Sequence, residues 1–136
     1  MRVFFDTNVL VSAFTAPHGV CFQLLKKVYR TSTFVTGEFV LGELERILLN
    51  KSRIAEKDVD ELLNELRKFE IHPIPIKPSS ISIRDSDDEF VLASALEAKV
   101  DILVTGDKDL LEIDDKVSIK IINPRKLLNI LEESKE

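Results

Sequence analysis

The amino-acid sequence predicts an α/β fold, a mostly parallel sheet with helices packed on both faces. Two observations carry the prediction. Short apolar, β-branched or aromatic runs alternate with segments of helical periodicity along the whole chain, the pattern that right-handed strand–helix–strand crossovers produce. No Gly/Ser linker, low-complexity tract or internal repeat interrupts them, so residues 1–136 read as a single domain.

Residues 2–5 form an apolar run that stops at Asp6-Thr7-Asn8, residue types of loops and helix caps, so a buried strand feeds a helix over about 8–14. Pro17 and Gly19 punctuate, and Cys21, Leu24, Leu25 and Val28 then give a helical period over 20–29. Thr33–Thr36 is a second strand by its β-branched and aromatic content. A helix over about 37–50 carries Val40, Leu44, Ile47 and Leu48 on one stripe, and another over 57–69 carries Val59, Leu62, Leu63, Leu66 and Phe69. This pair, about 37–69, is expected to protrude and to contribute contacts to a second copy or a partner. His72-Pro73-Ile74-Pro75-Ile76 alternates like a strand, and its prolines confine that strand to a sheet edge. Ser86-Asp87-Asp88-Glu89 matches a capping box and opens an Ala-rich helix to about Lys99. Asp101–Thr105 is a strand that ends at Gly106-Asp107, followed by a short helix over about 109–112. Ser118–Ile122 is the last strand, and Pro124 occupies the first turn of a final helix to about Glu132.

Of the 136 residues, 44% are hydrophobic and 32% charged, too apolar for a disordered chain and ordinary for a globular one. No apolar run approaches the ~18 residues of a membrane span. Asp6 follows Met1 too closely for a signal peptide, and a lone Cys21 forms no internal disulfide, so the cytosol is the expected compartment. With 19 basic and 24 acidic side chains and a net charge of −5, the chain argues against a protein that coats nucleic acid through a basic surface. An enzyme that cuts nucleic acid with metal ions stays open, and its site needs clustered carboxylates.

The acids have the phase for such a cluster. Asp6 and Asp107 each follow a strand directly, and ligands of open parallel sheets collect outside the carboxyl ends of the strands. Glu43 borders the buried stripe of its helix, near Phe39, Val40 and Ile47; Asp88 leads the face of Val91, Leu92 and Ala95. Like charges so placed resist ionisation unless a cation sits among them. Oxygen ligands without His or Cys favour a hard ion such as Mg²⁺ or Mn²⁺, and an ion of that kind activates water for attack on phosphorus. Each position also has a plain structural explanation: Asp6, Thr7 and Asn8 as caps, Asp87, Asp88 and Glu89 as complements to the helix dipole, Glu43 as a flank residue, Asp107 as a turn residue. His18 and His72 lack metal-ligand partners at useful spacing and read as surface or loop residues, and Cys21 reads as core.

Taken together, these segments resemble the PIN domain family, as in VapC-type toxin nucleases. The matching residues are the strand leading into Asp6-Thr7-Asn8, Glu43 on the third helix, Asp88-Glu89-Phe90-Val91-Leu92-Ala93-Ser94-Ala95, and Leu103-Val104-Thr105-Gly106-Asp107-Lys108-Asp109-Leu110-Leu111. The segment Arg84-Asp85-Ser86-Asp87-Asp88 resembles that of a bacterial and archaeal subgroup of toxin components. The resemblance implies a Rossmann-like, three-layer α/β/α domain with five parallel strands and one or two divalent metal ions (Mg²⁺ or Mn²⁺). It further implies RNA phosphodiester hydrolysis, homodimerisation or higher assembly, and inhibition by a small antitoxin. It carries over Asp6, Glu43, Asp88 and Asp107 as catalytic acids, Asp6, Asp88, Asp107 and Asp109 as metal ligands, and Asn8 and Thr105 as supporting residues. A one-residue shift in phase exchanges Asp87 for Asp88.

Lys26, Lys27 and Arg30, the stretch Arg46-Lys51-Arg53, and Lys108 are candidates for phosphate contact, against a solvated helix face as the simpler account. Three other functions share this architecture. A haloacid-dehalogenase-like phosphatase needs a second Asp two residues after the first, where this chain has Asn8. A phospho-receiver places its acceptor Asp after a middle strand, and Thr33–Gly37 offers none. The third is a PIN-like scaffold that binds RNA or protein without cutting.

Overall fold

The computed structural model describes residues 1–51 and 54–133. The elements run β1 (Arg2–Phe5), α1 (Thr7–Thr15), α2 (Val20–Thr31), β2 (Thr33–Gly37), α3 (Glu38–Lys51), α4 (Glu56–Leu66), β3 (Glu70–His72), α5 (Ser86–Glu97), β4 (Ile102–Val104), α6 (Lys108–Leu111), a 3-10 turn (Asp114–Lys116), β5 (Lys120–Ile122) and α7 (Pro124–Glu133). Among the described residues, five strands form one sheet in the order β3-β2-β1-β4-β5, every pairing parallel.

The central strands are short and apolar because both faces are covered. β1 buries Val3, Phe4 and Phe5 completely. Phe4 lies level with Val35 of β2 and Leu103 of β4, and this face takes α5, whose Ser94 packs against Gly37. Phe5 points to the opposite face, where its ring meets Phe34 at 5.0 Å; Phe34 then meets Phe69 at 5.2 Å, and Phe69 meets Tyr29 of α2 at 5.7 Å. The result is the expected three layers. Among the described residues, no single helix is long and apolar enough to cross a membrane.

Local chemistry sets the helix ends. Asp6 caps α1 and Asp107 caps α6. Asn123 Oδ1 accepts from the Lys126 amide at 2.8 Å, which caps α7 with Pro124 in its first turn. Three expectations need correction. In the α3–α4 pair, Val40, Leu41, Leu44, Leu48, Val59, Leu63 and Leu66 enter the common core, and α4 ends at Leu66, short of Phe69. β3 is the edge strand expected, but it occupies Glu70–His72 and stops where the prolines begin, since Pro73 has no N–H to give to a ladder. His72 therefore belongs to a strand, half-buried, with Nε2 2.5 Å from Glu70 Oε2; Glu70 also pairs with Arg2, and that hydrogen bond holds its carboxyl at about 2. Finally, the capping box shifts by one residue. Asp85, not Ser86, caps α5, accepting from the Asp87 amide at 3.0 Å. Glu89 turns away to accept from the Ile83 amide at 2.8 Å, pinning the segment before α5 onto the helix.

Candidate active site

β1 and β4 are neighbours in register, Phe5 level with Val104, so the residues after each strand emerge side by side. Asp6, 4% exposed, has both carboxylate oxygens engaged: Oδ1 accepts from the Thr7 amide and Oδ2 from the Thr105 hydroxyl, each at 2.7 Å. Thr105 is fully buried, and the same hydroxyl oxygen accepts from the Asp107 amide at 3.0 Å. One side chain thus couples the two strand ends. Asn8 lies across them, its Nδ2 3.5 Å from Asp6 Oδ2 and its Oδ1 accepting from the Gly106 amide at 3.2 Å.

The first turn of α5 gives the neighbouring acids opposite environments. Asp87 is exposed, whereas Asp88 is 7% exposed and turned inward with Val91, Leu92 and Ala95. One carboxylate oxygen from each of Asp88, Asp107 and Asp109 lies within 4.8 Å of the other two. Asp107 is oriented by the cap it makes, Oδ1 accepting from the Asp109 amide at 2.8 Å. Asp88 Oδ2 is buried and receives no donor. The Asp88 carboxyl is also in contact with that of Asp107, and two carboxylates form a hydrogen bond only when one of them carries a proton. Burial, the contact with Asp107 and the charges of Asp107, Asp6 and Asp85 push the Asp88 carboxyl up to about 8. Burial also raises Asp6 to about 6, with Thr105 and Thr7 opposing and the charges of Glu43 and Asp107 adding.

Glu43, half-buried on α3, has Oε1 bonded to the Thr7 hydroxyl at 2.6 Å. Its carboxyl is raised by burial; the Thr7 bond lowers it, Asp87 and Asp85 raise it, and Arg46 lowers it. The structure thus gathers Asp88, Asp107 and Asp109 tightly, with Asp6 beside them but its own oxygens committed to Thr7 and Thr105, and Glu43 on the flank. Oxygen-only donors, crowded enough to hold protons and including one orphaned buried oxygen, fit a hard divalent cation.

Of the candidate cations, Arg46 and Lys108 are exposed beside the acids. Lys26, Lys27 and Arg30 are elsewhere: with His18, Gln23 and Glu132 they line a cleft of about 400 Å³ between α2 and α7 that contains none of these acids. The Lys51 side chain and all of Arg53 lie outside the described residues. Two participants escaped the sequence. Thr7 reads as a capping residue until its hydroxyl is seen on Glu43, and Asp85 is visible only once the start of α5 is known; the signal for Thr7 was its place directly after a strand-end acid.

A model of the PIN domain family matches residues 2–109. An uncharacterised protein of Methanocaldococcus jannaschii is 27% identical over 145 residues, covering 98% of this chain and 93% of that protein. The fold is similar to VapBC2 from Rickettsia felis, solved bound to a DNA fragment from its promoter, with a TM-score of 0.67 and 19% identity over 90% of this chain and 98% of that one. It is also similar to the PIN domain endonuclease Utp24, with a TM-score of 0.56 and 20% identity over 90% of this chain and 84% of that one. The stretch matched by the family model runs from β1 to Asp109, so it takes in all five clustered acids, and the chain belongs to the PIN domain family.

Proposed function

We propose that the chain is a divalent-metal-dependent endoribonuclease that hydrolyses RNA phosphodiester bonds and acts as the toxin of a toxin–antitoxin pair. The observation that carries this reading is the buried, donor-less Oδ2 of Asp88 set among Asp107 and Asp109. A purely structural cap or turn has no use for an unsatisfied carboxylate there, because an orphaned buried polar atom costs stability. Asp88, Asp107 and Asp109 hold the cation, Mg²⁺ or Mn²⁺, with Asp6 beside them. When bound, the ion supplies Lewis-acid polarisation of the phosphodiester and of the attacking water.

The chain's own groups do the rest. Thr105 and Asn8 fix the strand-end acids relative to each other. Glu43, held by Thr7, orients the attacking water and receives its proton; burial raises its carboxyl above the ordinary value, which makes it a stronger base. Arg46 and Lys108, exposed at the rim, contact substrate phosphates. Exposed Tyr29, Leu49 and Phe69 leave apolar surface for an antitoxin or a second copy of the chain.

The test is cleavage of a panel of structured RNAs with and without Mn²⁺, for the parent and Asp6→Asn. The substitution is expected to lower metal-dependent cleavage ~100-fold or more while thermal unfolding stays cooperative. Metal-dependent activity retained in Asp6→Asn contradicts the assignment. A parent that binds the ion yet cuts no RNA supports the scaffold alternative instead.

A further inference from the structure

The geometry points to Thr7 as a positioning residue that sets Glu43 against the other acids, an inference that rests on the nuclease reading above. Thr7 is the first residue of α1 and is 6% exposed. Its amide donates to Asp6 Oδ1 at 2.7 Å, and its hydroxyl donates to Glu43 Oε1 at 2.6 Å. One residue therefore grips two carboxylates from separate elements, one at the end of β1 and the other in the second turn of α3.

A glutamate side chain has three torsions to settle, and on a helix flank it spreads over several rotamers. A buried hydroxyl at 2.6 Å from a carboxylate oxygen is in the short range of charge-assisted bonds and selects one arrangement. Oε1 is then committed to Thr7, which fixes the direction in which Oε2 is presented. The anchor is itself immobile: Thr7 begins a helix whose cap is Asp6, and Asp6 is tied to Thr105. Glu43 and Asp6 are thus linked through a single residue, by its amide on one side and its hydroxyl on the other. Packing by the Thr7 methyl group is the competing explanation, and substitutions separate the two.

The experiment measures RNA cleavage for five proteins: the parent, Thr7→Val, Thr7→Ser, Glu43→Gln, and Thr7→Val combined with Glu43→Gln. Valine keeps the shape and removes the hydroxyl; serine keeps the hydroxyl and removes the methyl. Thr7→Val is expected to lower kcat about tenfold or more, with KM nearly unchanged, as loss of a supporting hydrogen bond does. Thr7→Ser is expected to keep most of the parent's kcat. In the Glu43→Gln background, Thr7→Val is expected to cause no further loss, because its effect runs through the missing carboxylate. Independent, multiplicative losses in the combined protein overturn the inference, as does a Thr7→Ser protein as slow as Thr7→Val, or a Thr7→Val protein as fast as the parent. Should Thr7→Val fail to fold, Thr7→Ala takes its place in the same cycle. A parent that cuts nothing fails the nuclease reading rather than this one, and crystal structures of the parent and Thr7→Val then decide: a Glu43 carboxylate that leaves its parental position in Thr7→Val supports the anchor, and an unchanged position overturns it.

Discussion

Asp87 and Asp88 are adjacent, identical in chemistry and opposite in environment. The helical phase of Val91, Leu92 and Ala95 places Asp88 inward, and its Oδ2 is buried without a donor while Asp87 is exposed. Burial and the neighbouring carboxylates raise Asp88 to about 8 and Asp6 to about 6, against an ordinary 3.8. A carboxyl whose folded pKa exceeds its unfolded value favours the fold while protonated. That contribution is complete below about pH 4 and is lost as pH rises through the folded pKa. The metal-free protein is therefore expected to lose urea resistance between pH 5 and pH 9, through about 6 for Asp6 and about 8 for Asp88. Asp88→Asn removes part of the repulsion, so it should flatten that slope and be more stable than the metal-free parent at pH 9. A metal-free parent whose stability rises over the same interval contradicts the account. Residue identities at strand ends were legible in the sequence because position after an apolar run is a one-dimensional signal. The Thr7–Glu43 bond joins residues 36 positions apart, and no local pattern records such a meeting.

Elements were read well where one signal dominated and poorly where two competed. The helices of residues 7–15, 20–31 and 124–133 follow their apolar period and punctuation. β3 was displaced because proline alternation imitates a strand, while a ladder needs the N–H groups that proline lacks. The start of α5 was displaced because Asp85 and Ser86 are both good caps, and only the Asp87 amide shows which one it chose. Packing between elements left a mark that sequence pattern does not reveal. A Cβ added at Gly37 would lie 2.5 Å from Ser94 Oγ, with Phe4 and the His72 carbonyl 3.5 Å away. Gly37 thus lets α5 close onto β2. Gly37→Ala is expected to cost about 1–3 kcal/mol in urea denaturation. Ser94→Ala, which deletes a hydroxyl that has no partner of its own, should cost little alone and recover part of the loss in combination. A neutral Gly37→Ala would show that the contact relaxes freely.

At the scale of the whole molecule, alternation of strand and helix implied a parallel sheet, and the fold has that sheet. The strand order is a different matter. Nothing in the apolar runs says that β1 sits between β2 and β4, yet that placement brings Asp6 beside Asp107 and lets Thr105 bridge them. The same arrangement sends Lys26, Lys27 and Arg30 to a separate cleft, although their spacing on a helix was as suggestive as that of the acids. Charge is likewise partitioned: a chain of net charge −5 gathers Asp88, Asp107 and Asp109 at one edge of its sheet with Asp6 beside them, where a bound cation would relieve the repulsion that protons relieve in its absence. Calorimetric titration of Mn²⁺ into the parent and into Asp107→Asn measures that relief. Saturable binding by the parent, accompanied by proton release near neutral pH and weakened ~10-fold or more by the substitution, is the expected result. Absence of saturable binding by the parent, or equal binding by both proteins, would mean that the clustered acids serve as caps and turns and that the metal site does not exist.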